Sequence, residues 1–446
     1  MNTIAEFAQA LAEGRTTSEA LVTQALSRIE AHRAAGGVAY ISVDADSARL
    51  AARASDLARA SGYVPSPLAG LPVSIKDLFD VSGQVTAAGS RLLADAPPAR
   101  RDALVVERLR AAGAILLGRT NMSEFAFSGL GLNPHFGTPL TPCAPDRIAG
   151  GSSSGAAVSV ALGMAVAGLG TDTGGSIRIP AAFCNLTGFK PSASRVPMAG
   201  SFPLAASLDS VGALTRSVAD CILLDQILSA EQLDTRAAPL AGLRLAVTRD
   251  LVLDQLDADV ATAFERSLDL LAKAGACIRW FDFPELHELS RINAAGGLTA
   301  AEAWHGHRQW LEGDDSHRYD VRVAQRIRRG AAISAADYLD VRNERQRLIS
   351  VARERLGDAD AWLLPSVAVV APKLADLAED AAFFATNGLV LRNTSVMNFL
   401  DGCALSLPCQ RGDELPVGLS IAGLHGQDAR VLQVSRAVEA LLREHT

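Results

Sequence analysis

Gly150-Gly151-Ser152-Ser153-Ser154-Gly155 and, after an apolar run, Gly170-Thr171-Asp172-Thr173-Gly174-Gly175-Ser176-Ile177-Arg178 form the most informative stretch of this chain. Two small-residue loops, each presenting a serine, bracket a segment too apolar for a surface linker. Glycines let backbone N–H groups come close to a ligand, and a serine in such a loop can be exposed for nucleophilic attack. The run between them, Ala156 to Gly170, is interrupted by Ser159. It is too short and too glycine-rich for a membrane span and reads as a buried core element. Upstream, Leu71-Pro72-Val73-Ser74-Ile75-Lys76-Asp77 predicts a short apolar strand, Leu71 to Ile75, ending at Lys76. A strand end fixes the lysine backbone while its long side chain reaches a cleft.

Outward from this core, helices and strands alternate. A helix over about Ala103 to Ala112 precedes a strand at Ala114–Leu117; Val260–Ala274 precedes Cys277–Trp280; Tyr338–Leu356 precedes Ala361–Leu364. This alternation predicts an α/β fold, a large sheet covered by helices. The first sixty residues read as two amphipathic helices. One is capped by Thr16 or Thr17 with Glu19 behind it and carries Leu21, Ala25, Leu26 and Ile29; the other covers Ala45–Ala60. Residues 232–241 are the best candidate for a break, but Ala404–Leu407 and Val417–Ile421 read as strands returning to the same sheet, which favours one domain over residues 1–446.

Composition narrows the function classes. Apolar residues make up 49% and charged residues 20% of 446, a globular chain with a large core. The net charge of −7 argues against direct nucleic-acid binding through a basic surface. Arg326, Arg328 and Arg329 cluster between acidic residues and read as a solvated helix face. Cysteines 143, 184, 221, 277, 403 and 409 form no CxxC pair, so neither a metal framework nor disulfides are expected. With no cationic-then-apolar leader at the N-terminus, a cytoplasmic protein with no membrane association is expected.

A serine hydroxyl needs a base to become a nucleophile. None of the eight histidines lies in a recognisable catalytic motif. Gly151 to Gly155 does spell the Gly-x-Ser-x-Gly of a nucleophile elbow, but its lead-in Pro145-Asp146-Arg147-Ile148-Ala149 reads as a loop where the elbow requires a strand. A histidine-based triad stays open on spacing alone. Lysine serves as base when burial makes it neutral; the alternative is that Lys76 is a surface lysine beside Asp77. The glycine loops also admit a nucleotide-binding module, although no lysine follows Gly155 or Gly175 as a P-loop requires.

Three segments resemble the amidase signature family: Val73-Ser74-Ile75-Lys76-Asp77, Gly150-Gly151-Ser152-Ser153, and Gly170 to Arg178 with its continuation through Pro180, Ala181, Ala182 and Cys184 to Gly188-Phe189-Lys190-Pro191. Ser152 and Ser176 stand 24 residues apart, the family's spacing between its two catalytic serines. Thr120-Asn121-Met122-Ser123-Glu124-Phe125 and Leu415-Pro416-Val417-Gly418-Leu419 extend the resemblance over most of the chain. It implies a mixed sheet covered by helices on both sides, with a signature core at about 66–220 and a specificity-determining second half at about 240–446.

By position, the resemblance makes Ser176 the nucleophile, Ser152 the proton bridge and Lys76 the base, with Ser153 holding Lys76. It places the oxyanion hole at the N–H groups of Thr173, Gly174, Gly175 and Ser176. Asp172 and Arg178 are expected to form a bracing ion pair. Ser154 stands where the family often has glycine, and Thr141-Pro142 where Asn-Pro is common. The implied enzyme is a hydrolase of carbon–nitrogen bonds other than peptide bonds, without cofactor or metal, acting on a small-molecule amide as a homodimer. The rival within the family is the A subunit of glutamyl-tRNA(Gln) amidotransferase, whose Ala-Glu-Ala-Ser-Ser-Asn segment is matched here only by Ala301-Glu302-Ala303 before Trp304-His305-Gly306 departs. Trp304, His305, His307, Trp310, Asn393, Asn398 and Cys403 are the candidates to line the cleft.

Overall fold

A computed structural model describes residues 3–445. Eleven strands form one sheet: β1 Tyr40–Val43, β2 Pro72–Lys76, β3 Ile115–Thr120, β4 Ala167–Thr171, β5 Thr187–Lys190, β6 Val211–Thr215, β7 Arg244–Val247, β8 Cys277–Trp280, β9 Ala361–Pro365, β10 Cys403–Pro408 and β11 Gly418–Gly423. Their order is β1-β3-β2-β4-β6-β5-β10-β11-β9-β7-β8. The β2–β3, β2–β4, β7–β8 and β7–β9 pairs are parallel, and the remaining pairs are antiparallel, so the sheet is mixed.

Alternate residues of one strand feed opposite faces, as the two-residue strand period requires. In β6, Val211 and Ala213 enter a core with Ile75 and Leu169, whereas Leu214 joins Val22, Ala157 and Val160 on the other side. In β10, Leu405 and Leu407 pack with Phe264 and Val434, while Ala404 packs with Leu348 and Met397. Helices therefore cover both faces, and β2, β4 and β10 are buried along almost their whole length.

The N-terminal region holds more than two helices. Helices run at Ile4–Ala12, Ser18–Ala34 and Ala45–Ala60, and the short strand β1 lies before the third. Thr17 caps the second helix, its hydroxyl accepting from the Ala20 N–H. The apolar run Ala156–Gly170 divides into the end of helix Ser154–Ala161, a turn, and β4. Residues 232–241 carry no helix or strand, and β7 to β9 continue the sheet beyond them.

Candidate active site

Lys76 ends β2, and β4 lies parallel beside it through the pairs Val73–Ala167, Ser74–Gly168 and Ile75–Leu169. The carboxyl ends of the two strands are therefore neighbours, the usual place for a ligand in an open α/β sheet. Lys76 Nζ donates to Ser152 Oγ at 2.7 Å and to Thr171 Oγ1, at the end of β4, at 2.8 Å. The lysine side chain is fully buried. That burial pushes its ammonium down to about 7, against the pull of the negative charges on Asp172 and Asp209. A buried amine that is substantially neutral near pH 7 and sits 2.7 Å from a hydroxyl can take that hydroxyl's proton.

Ser152 lies in the loop that enters helix Ser154–Ala161, and the Gly151–Ser152 peptide is cis. The loop is pressed against its surroundings: a Cβ on Gly155 would fall 2.1 Å from the Ala39 carbonyl oxygen. The Ser152 carbonyl accepts from the Ser123 N–H at 3.2 Å, and the Ser153 N–H donates to the Ser176 carbonyl at 3.2 Å. The second of these bonds ties the two serine loops together. The Ser153 hydroxyl does not hold Lys76 as expected. It points along β4 to the Thr171 carbonyl at 3.4 Å, and the Thr171 hydroxyl takes the place beside the amine.

Asp172 organises the second loop. Its carboxylate accepts from the Gly175 N–H at 2.8 Å and the Ile177 N–H at 3.2 Å, and pairs with Arg178 Nη2 at 2.8 Å and Nε at 3.0 Å. Asn398 closes the pair, donating from Nδ2 to Asp172 Oδ1 at 3.0 Å and accepting from Arg178 Nη2 at 2.6 Å. Burial raises the Asp172 carboxyl, but the Arg178 charge and its hydrogen bonds, with Lys190 and Asn398, hold it at about 2. One expectation changes here. The Gly175 N–H is committed to Asp172, which leaves the N–H groups of Thr173, Gly174 and Ser176 without a protein acceptor among the described residues. Gly175 is required for backbone shape instead: its φ is +133°, and a Cβ there would meet Thr394 Oγ1 at 2.2 Å. Thr173 Oγ1 donates to Asp209, whose other carboxylate oxygen accepts from the Leu204 and Ala205 N–H groups. Burial pushes the Asp209 carboxyl up to about 6, against those three hydrogen bonds.

Ser176 opens on a cleft of about 550 Å³, with Thr173, Gly174 and Asn398 in the same wall. Of the residues expected in this cleft, Asn398 lines it and the others do not. Trp304 and Trp310 pack on the core, His305 is exposed, and His307 is buried against Phe125 and bonded to Tyr319 Oη at 2.8 Å. Asn393 donates to the Val252 and Pro365 carbonyls at 2.9 Å, and Cys403 is buried in β10. Of the arginines expected on a solvated helix face, Arg328 and Arg329 are exposed and Arg326 is half-buried; Arg326 and Arg329 also line the cleft. No residue pattern marks these two arginines, because the sequence does not show that the end of helix Val321–Arg328 shares a cleft with the second serine loop.

Among the described residues no histidine bonds to Ser152 or Ser176, and no group of three histidine, cysteine or acidic side chains is placed to hold a metal ion. No helix of the described residues is long and apolar enough to cross a membrane. The Amidase family model matches residues 20–432. The chain is 37% identical over 415 residues to a 2-amino-5-chloromuconic acid deaminase of Comamonas testosteroni, covering 91% of this chain and 88% of that protein. It is 33% identical over 488 residues to the A subunit of the glutamyl-tRNA(Gln) amidotransferase of Cupriavidus metallidurans, covering 98% and 96%. A crystal structure of an amidase superimposes with a TM-score of 0.89 at 35% identity, covering 98% of this chain and 99% of that one.

Proposed function

The chain belongs to the amidase signature family of carbon–nitrogen hydrolases, and we propose that it is a stand-alone amidase converting a carboxylic amide and water to a carboxylate and ammonia. The observation that carries this reading is the Lys76–Ser152 contact of 2.7 Å inside a buried site, where burial lowers the lysine to about 7 and suits it to act as a base. In the proposed reaction Lys76 takes the Ser152 proton as Ser152 takes that of Ser176, whose Oγ attacks the amide carbon. The free N–H groups of Thr173, Gly174 and Ser176 receive the oxyanion, each worth roughly 3–4 kcal/mol of barrier. The proton returns through Ser152 to the departing amine, leaving an ester on Ser176. A water then repeats the sequence to release the acid. Asp172 and Arg178 stay outside the proton path and hold the loop.

A second reading is supported by the relative 33% identical over 98% of this chain, an amidotransferase A subunit. The Ala301-Glu302-Ala303 match does not separate the two, because Glu302 has a bracing role here: it accepts from the Ser207 N–H at 3.0 Å and from Tyr338 Oη at 3.1 Å. Intact mass after exposure to a fluorophosphonate, on wild type and Ser176→Ala, tests the proposal. One adduct on wild type that disappears in the variant is expected. No adduct on the isolated chain, with one formed once partner subunits are added, favours the amidotransferase reading.

A further inference from the structure

Three guanidinium groups line the cleft that opens on Ser176, those of Arg326, Arg329 and Arg392, and no aspartate or glutamate among the described residues lines it with them. None of the three makes a salt bridge with another described residue. Arg326 donates to the Phe127 carbonyl and lies 4.3 Å over the Phe127 ring, Arg329 donates to the Ala294 carbonyl, and Arg392 Nε donates to Asn393 Oδ1 at 3.0 Å. Elsewhere in this protein arginines find carboxylates readily, as in the Asp77–Arg119, Asp172–Arg178 and Asp225–Arg195 pairs. Arg392 Nη2 has no hydrogen-bond partner among the described residues and no open surface in this conformation, so an anion in the cleft would pair with it after a small shift of the side chain. The negative charge acting on Arg392 is that of Asp254, at coulombic range only, and Arg326 feels the repulsion of Arg329.

The cleft that holds these cations and Ser176 is mostly hydrocarbon, with Leu204, Leu208, Leu391, Val396 and Phe399 in its walls. We infer that the amide substrate carries a carboxylate at a distance from the scissile bond, an ω-amido acid whose apolar chain lies along the leucines and whose carboxylate is held by Arg392 with Arg326 and Arg329. The planar fork of arginine matches the planar carboxylate in two parallel hydrogen bonds. Hydrolysis by the proposed route makes the second carboxylate, so the product is a dicarboxylate. This substrate class rests on the amidase reading, but its recognition is measurable without turnover.

The test has two arms. The first is calorimetric binding of straight-chain dicarboxylates, their monoamides and neutral diamides to the Ser176→Ala protein and to the same protein carrying Arg392→Gln or Arg329→Gln. Carboxylates are expected to bind and diamides to bind far more weakly, with each arginine change lowering carboxylate affinity by about 10- to 100-fold, the range for a hydrogen-bonded charge. Arg329→Lys, which keeps the charge and loses the fork, is expected to retain part of that affinity. The second arm is wild-type turnover of each ω-amido acid against the neutral amide of equal length. The ratio of their kcat/KM values is expected to favour the acid and to fall about 10- to 100-fold in Arg392→Gln. Neutral diamides binding as well as carboxylates, or inorganic phosphate binding as tightly as the dicarboxylates, would overturn the assignment. Carboxylate binding that depends on the arginines, with no turnover and no Ser176 adduct, would sustain the carboxylate site while rejecting the amidase reading.

Discussion

In the proposed reaction the rate of Ser176 acylation should follow the neutral fraction of Lys76, and burial sets where that fraction changes. An ordinary lysine, at about 10.4, is neutral in roughly one molecule in 2,500 at pH 7. With burial bringing Lys76 to about 7, half the molecules hold the free amine there. The fold therefore supplies a factor of about 10³ in competent enzyme at neutral pH, equivalent to about 4 kcal/mol. The second-order rate of fluorophosphonate labelling, followed by intact mass from pH 5 to 10, should rise about tenfold per pH unit at the acid end and level off above pH 7. At pH 5 it should be about one-hundredth of the plateau. Asp209→Asn supplies the perturbation. The amide can keep the Leu204 and Ala205 hydrogen bonds while the Thr173 hydroxyl turns to accept, so the main change is the loss of one negative charge. Because that charge favours protonated Lys76, its loss moves the upper part of the acid limb, above the Asp209 value of about 6, to lower pH. A rate flat from pH 5 to 9, one still climbing tenfold per unit above pH 9, or a limb moved upward by Asp209→Asn would refute the lysine-base argument.

The remaining predictions concern stability and loop shape. Since the folded protein holds Lys76 at about 7 and the unfolded chain near 10.5, the unfolded state binds the extra proton between those values, and stability rises with pH across that window. Urea unfolding should therefore show wild type gaining about 1–3 kcal/mol on Lys76→Met between pH 7 and pH 9; an unchanged difference would mean that Lys76 titrates alike in both states. Arg178→Met leaves the fully buried Asp172 carboxylate without its charge partner. It should cost about 3–5 kcal/mol in the same assay, and a loss under about 1 kcal/mol would contradict a bracing role. Gly175→Ala must place a Cβ at φ +133°, 2.2 Å from Thr394 Oγ1, whereas one on Gly174 meets Ser395 Oγ at 3.2 Å. Labelling of Ser176 should fall at least about 100-fold in Gly175→Ala and much less in Gly174→Ala, and equal losses would count against the loop geometry.

The parts legible in the sequence are those whose physics is local. Strand β2 is readable because an apolar run stops at a charge, and helix Ala45–Ala60 because its composition, rich in alanine and arginine, lies within its own residues. The Lys76–Ser152 contact joins residues that local motifs mark, and the loop ion pair joins Asp172 and Arg178, six residues apart. What the sequence hides depends on distant backbone. Thr171 displaces Ser153 as the partner of Lys76 because β4 pairs with β2 in a particular register, which fixes whose hydroxyl reaches the amine. The Gly175 N–H is turned inward because Asn398, 226 positions beyond Asp172, helps fix that carboxylate. Strand β1 has four residues and no strong alternation, and it forms by pairing with β3. Arg326 looks like a solvated charge because a helix face is judged by its own polarity, yet it is half-buried in a wall built by residues from Ala126 to Phe399. The split is mechanistic. Proton transfer needs a few groups at fixed short range, which short motifs can encode, whereas substrate choice needs a cavity assembled from both halves of the chain.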